Sequence, residues 1–246
     1  MKRLQAAGHL MPDPVFMSYC GSPPLPVEWF ARWNLDPALL AGLAVCIVLS
    51  LRSRSPGLAL GGVGALALAF VSPLCALSVA LFSARAVHHL LLIAVAAPLI
   101  ALAFPARRAG HLGLALLMAT ASLWLWHVPA FYDAALANTA LYWLMQVSML
   151  APATWFWRAL FAAPPLSGIG AAILAMAQMG MLGALLTFAP DALYATHARS
   201  TLAWGMGPLA DQQLAGLLMW VPGFIPFALA AGLIGLRYRV LVRSAA

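Results

Sequence analysis

The residues best suited to chemistry in this chain are its histidines. His88 and His89 are adjacent in FSARAVHHLLLI, and His127 stands in WLWHVPAFYDAAL. Imidazole binds copper, zinc and iron, and thioether binds cuprous copper. His88, His89 and His127, with Met145, Met149, Met206 and Met219 in or near the same halves of the later spans, are therefore the candidate metal ligands. Arg85 lies one helical turn before His89, so the two share a face if the segment is helical. A guanidinium there either repels a cation or is held by a carboxylate, and Asp211 and Asp133 are the expected partners. Asp211 could equally cap the helix it begins. Gln212 and Gln213 follow it into an apolar run and need hydrogen-bond partners there. The competing reading for each histidine, and for Trp124, Trp126, Trp143, Trp204 and Trp220, is an amphipathic ring at a membrane interface.

Several chemistries are excluded. There is no GxxxxGK[ST], HExxH or GxSxG segment, and so no phosphate loop, zincin helix or nucleophile elbow. The only lysine is Lys2, which leaves no Schiff-base lysine for a retinal protein. Cys20, Cys46 and Cys75 fall in no paired spacing, with neither CxxC nor CxxCH, so no disulfide framework is expected. MKRLQAAGHLMPDPVF has basic residues but no apolar core behind them and does not read as a cleavable signal peptide.

The elements that position these residues must be membrane helices. Of 246 residues, 64% are hydrophobic and only 8% charged, against roughly 45–50% and about 25% in soluble domains. The net charge of +7 comes from basic residues that punctuate apolar stretches, which argues for topology signals rather than a nucleic-acid surface. Seven stretches approach the length of about 20 residues needed to span the hydrocarbon core. They are Asp36–Leu51, Gly57–Phe82, Ala86–Phe104, Gly110–Val128, Thr139–Phe161, Ser167–Ala189 and Gln212–Leu236. Kinks are expected at Pro73, Pro222 and Pro226, and the glycines of GLALGGVGALALAF are expected to serve close helix packing.

Arg52, Arg54, Arg107, Arg108, Arg158, Arg237, Arg239 and Arg243 fall on one side of these spans, with no acidic residue among them. Asp13, Glu28, Asp36, Asp133, Asp191 and Asp211 fall on the other, together with every histidine except His111. The positive-inside rule then puts the N-terminus outside and the C-terminus in the cytoplasm. The expected fold is all-α and polytopic: a Pro-rich periplasmic leader over 1–35 and a seven-helix transmembrane domain over 36–246.

Three segments resemble the CtaG family of cytochrome c oxidase assembly factors. FSARAVHHLLLIAVAAPLIALAFP resembles the family's F-S-x-H-M-x-Q-H-x-L-L block, WHVPAFYDAAL its W-H-x-P-x-x-Y-D-x-A-L block, and PLADQQLAGLLMWVPG its D-Q-x-x-A-G-x-x-M-W block. SPL at Ser72–Leu74 and WNLDP at Trp33–Pro37 add weaker support. The resemblance implies a bacterial inner-membrane protein of about seven helices that matures a haem–copper oxidase and is not itself an enzyme. Its implied partners are oxidase subunits and the lipid bilayer, with no nucleic acid. Copper is the implied metal, and haem is the alternative cofactor. His89, His127, Asp211, Gln212 and Met219 carry over to family positions. Arg85 stands where the pattern has the first histidine of HMxQH, and Gln146 stands where a histidine is common in the fifth helix. The alternatives are a haem-binding electron-transfer protein, with His89 and His127 as axial ligands, and a copper carrier of the copper-resistance type. The dearth of ligands in the inner halves of the helices counts against transport.

Overall fold

The computed structural model describes residues 18–106 and 111–245, and these are helical with no strands. The helices are α1 (Pro37–Leu51), α2 (Pro56–Phe70), α3 (Leu74–Ala80), α4 (Phe82–Ala103), α5 (Leu112–Trp126), α6 (Pro129–Ala137), α7 (Thr139–Ala162), α8 (Pro165–Phe188) and α9 (Pro208–Ala245). Apolar side chains point outward as well as inward: Leu174 is 55% exposed and Leu229 60%. In water such a surface would associate or precipitate; in lipid it is solvated, and the chain is a membrane protein.

Among the described residues, three helices are long and apolar enough to cross a membrane: α4, α8 and α9. The bent pairs α2–α3 and α5–α6 bring the number to five. Two of the seven expected spans lie outside that set. α1 has only 15 residues, and α7 is diluted by Trp, Tyr, Gln146 and Arg158.

The breaks have local causes. The chain bends by 45° between α2 and α3 at Pro73, where the expected Gly57–Phe82 span divides. Leu81 is then extended, and Phe82 begins a new helix rather than ending the old one. Between α5 and α6 the bend is 76°; His127 and Val128 leave the helix, and Pro129 restarts it at the first helical position, where its missing N–H is no loss. The segment after His127, expected as loop, is therefore mostly helix. α4 carries a π turn over Leu91–Ala96. Residue 98 would donate to the Ile93 carbonyl in such a turn, but Pro98 has no N–H. The Trp157 indole of α7 donates to that oxygen instead, at 2.8 Å. α9 runs through Pro222 and Pro226 without interruption.

Close helix packing at glycine occurs in α2, as expected, at Gly62, and is tighter still between α8 and α9. A Cβ on Gly183 would lie 2.7 Å from the Gly216 carbonyl, and one on Gly216 would lie 2.5 Å from the Gly183 carbonyl. Only hydrogen fits at either position. In α2, Gly62 and Gly61 do face α4, but a Cβ on Gly57 or Gly64 would meet nothing.

The expectation of no disulfide is overturned. Cys20 and Cys75 are bonded, with Cα atoms 5.3 Å apart, and Cys46 is free. The two are 55 residues apart, so no sequence spacing announces them; they meet because α2 carries Cys75 back to the leader. The proposed leader thus has at least one covalent tie to the bundle. His9, Asp13, Arg107 and Arg108 lie outside the described residues.

Candidate functional site

At the end of the bundle holding Asp36, Asp133, Asp191 and Asp211, the sequence supplies polar side chains that the fold buries almost completely. Arg85, His88 and Asp211 are 0% exposed, and His89, His127, Gln146, His197 and Gln212 are at most 6%. They come from α4, the α5–α6 break, α7, the 195–204 turns and the start of α9.

Asp211 and Gln212 are spent on architecture. The Asp211 carboxylate accepts from the Phe82 and Ser83 amides at 2.6 and 3.1 Å and from the Ser83 hydroxyl at 2.5 Å. It caps α4 from 128–129 residues away, supplying acceptors to donors left open in a helix's first turn. The expectation that it caps its own helix therefore fails: Leu81, which precedes α4, has no side-chain oxygen, and Asp211 replaces it. Gln212 donates to the carbonyls of Leu186 and Asp191 and accepts from the Leu193 amide at 2.7 Å. It stitches the end of α8 to the chain that follows. Asp133 accepts from the Thr196 hydroxyl at 2.6 Å and fastens the long connection to α6.

Arg85 is not held by Asp211 or Asp133, contrary to expectation. None of its guanidinium nitrogens makes a hydrogen bond of normal geometry, and the uncharged hydroxyls of Tyr132 and Tyr142 are among its polar neighbours. Its charge lies over the Tyr142 ring at 5.4 Å. The Tyr142 hydroxyl is 3.3 Å from the Cys20 sulfur, so the disulfide abuts this cluster. Both ring nitrogens of His88 and His89, and both amide atoms of Gln146, are also buried without partners.

The imidazoles form a row. The ring centroids of His88 and His89 are 5.8 Å apart, as are those of His89 and His127. Phe70 packs edge-on against His88 at 4.9 Å. His127 Nδ1–H donates to the Leu123 carbonyl at 2.7 Å, which leaves Nε2 as the nitrogen with a lone pair. Met219 is buried at 2% exposure on α9. Among the described residues, no three or more His, Cys, Asp or Glu are gathered as a metal site. His111, the expected inner residue, is exposed before α5.

An aromatic layer that sequence reading missed closes the end of the bundle. Phe82 stacks on Tyr194 at 4.1 Å and meets Tyr132 edge-on at 5.3 Å. The Tyr132 hydroxyl and His197 Nε2 are 2.7 Å apart, and Tyr194 donates to the His127 carbonyl at 2.9 Å. Burial, and then the Arg85 charge, pull the His197 pKa down to about 3. Burial pushes the Tyr19 phenol up to about 12, whereas backbone amides of Ala38 and Leu39 lower the pKa of Asp36 as it caps α1. The tyrosines in YDAAL and DALY could have been suspected from their place beside the acids; the Cys20–Cys75 pairing gave no such signal.

Residues 51–113 and 105–239 match the family described as cytochrome c oxidase caa3 assembly factor (Caa3_CtaG). No curated protein and no solved structure matches the chain.

Proposed function

We propose that this chain, which belongs to the cytochrome c oxidase caa3 assembly factor family, acts at the outer face of a bacterial inner membrane. There it engages haem–copper oxidase subunits during their maturation and catalyses no reaction of its own. Counting α1 and α7 with the five longer units gives seven spans, the N-terminus outside and the C-terminus in the cytoplasm. The observation that carries the face is the Cys20–Cys75 bridge beside the histidine row. Disulfides persist in oxidising compartments such as the periplasm and are rare in the cytosol. The basic residues Arg52, Arg54 and Arg158 belong to the opposite end, in agreement with the positive-inside rule.

Copper enters this reading as cargo. The Asp211 carboxylate is already engaged, so it is the imidazoles of His89 and His127 that offer unused nitrogens. Two imidazoles suit a cuprous ion in transit, and the 5.8 Å between their centroids favours a shared ligand role. Arg85 beside them opposes tight retention of a cation.

The test is affinity purification of the tagged chain from native membranes, with oxidase subunits identified and copper measured in the same sample. Recovery of oxidase subunits with wild type, and loss of copper but not of His111→Ala's copper when His89 or His127 is changed to Ala, is the expected result. Purification free of oxidase subunits would refute the assembly role. Equal copper in all variants would remove the histidine pair from it.

A further inference from the structure

Arg85 carries a charge that nothing described in the chain neutralises. Arginine stays protonated in proteins, and a buried charge without a partner is costly, more so at membrane depth. The described carboxylates are used elsewhere or lie in the open. Glu28 pairs with Arg32 at 3.4 Å, Asp36 caps α1, Asp133 binds Thr196, Asp211 caps α4, and Asp191 is exposed. The Tyr142 ring beneath the guanidinium offers cation–π attraction but no countercharge.

The groups around it are rich in donors. An arginine offers five N–H donors in a planar fork. His88 and His89 each offer a ring N–H when neutral, and Gln146 offers an amide NH2. All are buried and unpartnered. This assembly is suited to accept negative charge. Water could satisfy the hydrogen bonds but would leave the charge unbalanced.

We propose that Arg85, with His88, His89 and Gln146 around it, forms a buried binding site for a small monovalent anion, chloride or a short carboxylate. The site shares His89 with the copper reading and gives Arg85 a ligand of its own, and it is tested on purified protein without copper or oxidase, so the two readings can fail separately.

The experiment measures thermal stability in detergent at constant ionic strength, with sodium chloride or sodium formate replacing sodium gluconate, a bulky reference anion. Ligand linkage predicts a rise in Tm of roughly 3 °C or more for each tenfold increase of anion above its dissociation constant. Arg85→Met should abolish the rise while preserving the fold, because an apolar side chain of similar reach removes the unbalanced charge. If that variant fails to fold, Arg85→Lys replaces it and should shift the half-saturating anion concentration at least about tenfold, since a point charge lacks the guanidinium fork. A bromide soak should place an anomalous peak against the guanidinium. No anion response in wild type, or an undiminished one in Arg85→Met or Arg85→Lys, would overturn the site. So would a response that appears only in Asp13→Asn, since the chain's own carboxylate would then be the counter-ion.

Discussion

Two polar regions sit side by side at the Asp211 end of this bundle and are treated in opposite ways. Around Asp211 and Gln212, each carboxylate or amide oxygen and the amide nitrogen has a named partner on another element. Around Arg85, His88, His89 and Gln146, donors and acceptors are buried with none. Buried polar groups in native proteins are as a rule hydrogen-bonded. A fold that satisfies one cluster so thoroughly leaves the polar groups of its neighbour unspent on architecture.

That contrast predicts unequal costs. Asp211→Ala should be the most damaging substitution, because two buried amides and a hydroxyl lose their acceptor together. An unsatisfied buried donor costs about 1–3 kcal/mol, so a loss of about 3–5 kcal/mol is expected in thermal or denaturant unfolding of the detergent-solubilised protein. A loss under about 1 kcal/mol would mean the cap does not organise α4. Because Arg85 and Asp211 share no bond, the effects of Arg85→Met and Asp211→Ala should add to within about 0.5 kcal/mol. Strong coupling would restore the ion pair that the structure denies.

Next in size is the disulfide. Cys75→Ser should lower stability by about 4 kcal/mol on chain-entropy grounds for a loop closed across 55 residues, and reductant should reproduce the loss in wild type but not in the variant. The effect smallest near neutral pH is a pH dependence at His197, which grows as the pH falls. Its pKa of about 3 in the folded state lies below the unfolded value of 6.5, so the unfolded chain binds more protons between these values. Stability contributed by the neutral ring is fully present above about pH 6.5 and is lost as pH falls towards 3. His197→Gln should flatten the unfolding profile across that window, and an unchanged slope would assign the acid sensitivity to another group.

Much of this arrangement was legible in the sequence. Composition announced a membrane protein, Pro73 marked a break although Pro222 and Pro226 interrupt nothing, and the HH, WHxP and DQQ segments marked the buried end. What was not legible depends on distance in space. Asp211 follows the local rule for a cap but serves a helix 128–129 residues away, and no window of sequence contains both. Cys20 and Cys75 meet only after α1 and α2 have folded back. The Arg85–aspartate pairing was a sound inference from cost, since a buried charge wants a countercharge; it failed because both aspartates had stronger claims from backbone amides and hydroxyls.

The most direct measurement is the amount of assembled oxidase per copy of this protein in native membranes, compared between His89→Ala, His127→Ala and wild type. If the His89–His127 pair is the working part, both variants accumulate and melt like wild type while assembled oxidase falls at least about tenfold, no less than the loss of an outer partner of a metal ligand causes. Full oxidase assembly in both variants at equal abundance would contradict the account.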